Sequence, residues 1–203
     1  MKMPAWLESV SPGHLDRVYL NEASPRKSGL FIRHLCRCFP SLFGPQSLAT
    51  LDAADAREAG EVGSEGVQAE SEGPAEYPDF VTMIASVGFY PGVLSQLRNA
   101  ILAHAGAGRG PRKNPTARAM RPVFFEHFGD PRSPVERDPS WLTSTVLKLA
   151  EGMYESRDFS PMPILADALQ DAGCDHTDVL DHCRSDGPHV RGCWVVDLVL
   201  GKS

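Results

Sequence analysis

The chain has 203 residues and a formal net charge of -6. With 42% hydrophobic and 23% charged residues, its composition is ordinary for a globular protein, in one domain or two small ones. The acidic balance disfavours a nucleic-acid binder, which needs a basic face for phosphates.

Five cysteines cannot all pair within one chain. The opening MKMPAWLESVSPG carries Pro4 and Glu8 where a signal peptide would be apolar. The longest apolar run, Cys193 to Leu200, is broken by Asp197 and is too short to cross a bilayer. These features predict a reduced, cytoplasmic protein with free thiols and no membrane contact.

In chain order, PAWLESVSPGHLDRVYL reads as two short helices split at Ser11-Pro12-Gly13. Ser24-Pro25 is a cap followed by proline at the first helical position. The helix it opens, RKSGLFIRHLCRCF, sets Leu30, Phe31, Leu35 and Cys38 on one side and Arg33 and Arg37 on another, a basic face expected to be solvated. A third helix is expected through Leu48, Leu51 and Ala54 or Asp55. Residues 57–78 are rich in Gly and Glu with almost nothing to bury, which predicts a flexible, disordered acidic loop. DFVTMIASVGFYPGVLSQLRNAILAHAG returns to helical periodicity, with Gly106 as a stop. Residues 106–122 read as a basic loop. Its Arg109, Arg112 and Lys113 are the candidate contact for phosphate or an acidic partner. GAGRG in that loop lacks the preceding strand, the G-K-[ST] ending and the full G-x-G-x-x-G, so it does not make a nucleotide site.

Phe124, Phe125 and Phe128 form a buried-looking cluster, and Asp138-Pro139 repeats the cap-plus-proline signal. Trp141, Leu142, Val146, Leu149, Met153 and Tyr154 mark a helix face. Ile164, Leu165, Ala168, Leu169 and Ala172 mark another, closed by Gly173. Asp175 can cap the next helix, whose Val179, Leu180 and Cys183 point inward. HVRGCWVVDLVLG is compatible with strand or helix. Helix is favoured because a lone strand has no backbone partner, and it puts Arg191 and Asp197 at the rim.

The block from Pro163 to Cys174, with His182 to Arg184 and His189 to Lys202, resembles the C-terminal signature of a family of uncharacterised planctomycete proteins. Members typically read LPILADALEDAGC, an acidic helix with HCR, then HVRGCWVVDLLLGK. WLTSTVLKLAEGMYESRDF, FGDPRSPV, PAWLESVSP and SPRKSGLFIRHLCRCF are similar to further family blocks, while the acidic and basic loops fall outside the resemblance. The likeness implies an architecture and carries no activity, cofactor or partner with it.

A tetrahedral metal site needs about four converging N or S ligands. Cys174, His182, Cys183, His189 and Cys193 are of the right type, with Cys36 or Cys38 as possible additions. No C-x-x-C knuckle is present, His182 and Cys183 diverge on a helix, and Cys36 and Cys38 point about 200° apart. The cysteines therefore read as small buried core residues, and no metal site and no cofactor is assigned. A nucleophilic Cys183 or Cys193, activated by His189 with Asp178 orienting a histidine, has no surrounding nucleophile motif. His182, His189 and Arg191, beside the SDGP turn, remain as a candidate surface polar cluster with no catalytic residue among them.

The expectation is an all-α single domain over residues 1–203, an irregular bundle of short helices. The expected role is a non-catalytic cytoplasmic protein-interaction or scaffold module with a protein partner, without nucleic acid or membrane. The alternative is a thiol- or metal-dependent enzyme using the C-terminal Cys/His set. Convergence of those side chains on an open cleft would favour the alternative.

Overall fold

The structure, a computed structural model, describes residues 23–58 and 115–202, with backbone alone at 41–47, 57–58 and 115–119. The fold is all-α, as expected. Seven α-helices, one 3-10 turn and no strand occur among the described residues. These residues fall into two compact units, one within 9–123 and one within 124–203, and each is taken by itself. The two short N-terminal helices and the helix before Gly106 lie outside the described residues, as do 59–78 and the basic residues Arg109, Arg112 and Lys113.

The first unit holds α1 (Pro25–Arg37) and α2 (Pro40–Glu58), packed on each other. The Ser24 hydroxyl accepts from Lys27 N at 3.2 Å and Pro25 fills the first turn, as the sequence predicts. Leu30, Phe31, Ile32, Leu35 and Cys36 are buried, whereas Cys38, past the end of the helix, is exposed. The expected solvated basic face is corrected. Arg33 is buried and paired with Asp55 of α2, and Arg37 reaches Asp55 at 2.6 Å and Asp52 at 2.7 Å. The aspartates one helix later neutralise the arginines that looked unpaired in their own segment.

Helix α3 (Pro115–Phe128) begins inside the stretch expected to be a loop, so residues 115–122 are helical instead. Proline suits a first helical position, and Met120, Val123 and Phe124, at helical spacing, are all buried.

The second unit contains the last turn of α3, a 3-10 turn at Pro139–Trp141, and four helices. These are α4 (Ser144–Ser156), α5 (Met162–Asp171), α6 (Thr177–Cys183) and α7 (Trp194–Leu200). Asp138 does cap, but it caps the 3-10 turn. Thr143 caps α4, accepting from Val146 N at 3.3 Å. Helix α5 packs on α4 and α6, and α7 packs on α4. The core joins Val146, Ala150 and Met153 to Leu165, Leu169, Val179, Val195 and Val199.

The buried face of α5 is Met162, Leu165, Ala166 and Leu169, leaving Ile164 outside at 59% exposure. His176, not Asp175, precedes α6, with no side-chain cap. The last ambiguous stretch is helical from Trp194 to Leu200, ending at Gly201 in the left-handed region, and Asp197 is buried where a rim position was expected. Among the described residues, no helix is long and apolar enough to cross a membrane.

Candidate functional site

Three segments of the second unit bring polar side chains to one interior point. The last turn of α3 supplies Glu126, α6 supplies His182, and the turn before α7 supplies His189 and Cys193. One ligand-type atom from each of the four lies within 4.8 Å of the others. Phe124 and Phe125 immediately precede Glu126 in sequence, so the helix that buries those rings carries the carboxylate inside with them.

The geometry is specific. Glu126 Oε2 is 3.2 Å from His189 Nδ1 and 3.3 Å from His182 Nε2. His182 Nε2 is 3.2 Å from Cys193 Sγ. The other carboxylate oxygen, Oε1, accepts from Val190 N at 3.1 Å. The other ring nitrogen of His189, Nε2, faces the Ser185 carbonyl at 3.2 Å, and the Ser185 hydroxyl donates to His182 O at 2.8 Å. Aromatic rings enclose the His182 imidazole: Trp194 at 5.3 Å, Phe125 at 6.0 Å and His189 at 4.9 Å between centroids. His182 Nδ1 has no hydrogen-bond partner among the described residues.

Burial and pairing set the charges. Burial opposes ionisation of Glu126, but hydrogen bonds with His182 and His189 outweigh it and hold the carboxyl down at about 2. Burial also works against a charged His189, yet the Glu126 contact raises its pKa above the ordinary value. For His182 burial prevails and its pKa is lowered, despite the same carboxylate. Burial pushes the Cys193 thiol well up, with the Glu126 charge adding to the rise. The centre is thus a carboxylate beside one imidazole that favours its charged form and one that favours its neutral form, with a protonated thiol.

The histidines foreseen from the sequence do come together, but inside the protein. The His182 side chain is 0% exposed and that of His189 is 6% exposed, so the cluster is not the surface one expected. Arg191 is placed elsewhere. It donates from Nη2 to Tyr154 O at 2.7 Å and lies over the Tyr154 ring at 4.9 Å, bracing the end of α4. Cys174 and Cys183 are buried outside the cluster, in agreement with the divergence expected for Cys183.

Spacing along the sequence left open whether the Cys/His residues converge, and His182 and Cys193 do. The turn from Ser185 to Cys193, with Gly187 and Gly192 at positive φ, folds the chain back on itself. Glu126 was missed altogether. Its signal was a lone carboxylate set in the aromatic run VFFEHF, a place where a charge is buried only with a partner. No protein-family model, curated protein or solved structure matches the chain.

Proposed function

We propose that the protein is a non-catalytic helical module that works in the cytoplasm by contact with a protein partner. The observation that carries this reading is closure of the polar centre. Glu126, His182 and His189 have side chains 2%, 0% and 6% exposed, whereas a catalytic centre must admit substrate. The state of the sulfurs supports it too. Burial pushes Cys36 up to about 12 and raises Cys183 and Cys193, the opposite of the lowered pKa that activates a nucleophile. Five free thiols suit a reducing compartment. On its C-terminal block we further propose membership of the planctomycete family named above.

The alternative, an enzyme using the C-terminal Cys/His set, is favoured by one observation, the convergence of His182, His189 and Cys193. The two readings part at the thiols. With a disulfide reagent under native conditions, the non-catalytic reading expects only exposed Cys38 to react, no faster than free cysteine, and the other four after unfolding. Native reaction of Cys193 or Cys183 faster than free cysteine would favour the enzyme. Affinity capture with the full chain should return a stoichiometric protein partner; repeated capture without one counts against the interaction role.

A further inference from the structure

The four converging groups have the donor types of a metal site, at close to its spacing, and two of them are held in place by further contacts. We propose that Glu126 Oε2, His182 Nε2, His189 Nδ1 and Cys193 Sγ bind one zinc-class divalent ion.

Distances come first. Zinc bonds of about 2.0–2.2 Å to N or O and about 2.3 Å to S place tetrahedral ligand atoms roughly 3.3–3.8 Å apart. Three contacts here measure 3.2, 3.3 and 3.2 Å, and the whole set lies within 4.8 Å. Contraction of the wider pairs by about an ångström completes the tetrahedron.

Charge comes next. A divalent ion with one carboxylate, one thiolate and two neutral imidazoles has zero net charge, which an interior position requires. On binding, a metal–sulfur bond replaces the Cys193 S–H bond and a metal–nitrogen bond replaces the His189 Nδ1–H bond, the two displaced protons passing to the buffer. Neutral His182 keeps its one proton on Nδ1 and binds through Nε2, and Glu126 binds as the carboxylate. The mixed N, O and S donors exclude calcium and magnesium, which take oxygen, and provide too few thiolates for copper(I).

The surroundings complete the case. The Ser185 carbonyl faces His189 Nε2, the contact that fixes a ligand histidine with its other nitrogen free for metal. Val190 N holds Glu126 Oε1, leaving Oε2 toward the centre. Four protein ligands leave no open position, the pattern of a structural site. The ion would staple α3, α6 and the turn before α7, and its binding does not depend on the partner role proposed above.

The test uses the full chain, stripped with a chelator and titrated with Zn2+ alone against a chromophoric competitor. A parallel titration uses Co2+. One ion per chain is expected, with the intense visible bands of tetrahedral cobalt and a thiolate-to-cobalt charge-transfer band. Cys193→Ser should abolish that band and weaken Zn2+ by more than the roughly 10–100-fold that loss of an outer-shell partner costs. Cys38→Ser, at an exposed thiol, should change neither. If Cys193→Ser does not fold, the cobalt spectra of the unaltered chain and of Cys38→Ser decide. Failure to bind one ion, a spectrum without the sulfur band, or a band lost in Cys38→Ser or kept in folded Cys193→Ser overturns the proposal.

Discussion

His182 Nε2 and Cys193 Sγ lie 3.2 Å apart in the interior of the C-terminal unit. A catalytic Cys–His pair at this distance would hold a thiolate beside an imidazolium. Here burial acts on both partners in the reverse sense, raising the thiol and lowering the imidazole. The pair is uncharged, the opposite of the ionised state in which a Cys–His nucleophile works.

The turn that delivers His189 to this centre depends on Gly187. Its φ is +72°, and a Cβ there would lie 2.8 Å from His189 N, a backbone atom that cannot step aside cheaply. Gly187→Ala is expected to destabilise the fold by at least about 1 kcal/mol, the cost of the left-handed conformation alone. It should also weaken Zn2+ binding, since His189 must shift. Chemical denaturation and the chelator competition measure the two effects.

Gly152 gives the opposite sign in the same unit. It lies inside α4, and a Cβ would meet nothing within 4 Å. Gly152→Ala is expected to stabilise by about 0.5–1 kcal/mol through helix propensity. A lower denaturation midpoint for this variant would contradict the described packing of α4.

In the first unit, Asp55 pairs with both Arg33 and Arg37, and the Arg33 side chain is only 5% exposed. Asp55→Ala should cost about 3 kcal/mol by removing a carboxylate that pairs with a buried guanidinium. Asp52→Ala removes a carboxylate that is 64% exposed and should stay within about 0.5 kcal/mol. Equal effects would mean that the arginines are solvated after all.

Cys36 makes stability depend on alkaline pH. Its folded pKa is raised from 9.0 to about 12 by burial. Below pH 9 both states carry the thiol, so nothing is lost. As pH rises from 9 toward 12 the unfolded chain ionises while the folded one does not, and stability falls. Cys36→Ala should lower stability at neutral pH through the small cavity yet show a shallower fall above pH 9. Parallel alkaline limbs would contradict the burial of this sulfur.

Local signals were legible in the sequence. Ser24-Pro25 started a helix because a cap and a pre-set φ act within one turn. Ambiguity grew with range. The adjacent apolar pair Ile164 and Leu165 could serve two helix faces, and the partners Met162, Ala166 and Leu169 chose the one that exposes Ile164. Asp138-Pro139 capped a 3-10 turn because the same local chemistry serves both geometries. The centre was least legible. His182 and His189 were singled out, but their burial depends on Trp194 and Phe125, and Glu126 is 63 residues from His189. No spacing rule within the C-terminal block reaches that carboxylate.

The most direct measurement of the central claim is X-ray absorption at the zinc edge of the zinc-loaded full chain. The account predicts four-coordinate zinc with a single sulfur at about 2.3 Å and three N or O atoms at about 2.0–2.2 Å. A six-coordinate oxygen shell, or a four-coordinate shell without sulfur, would contradict it.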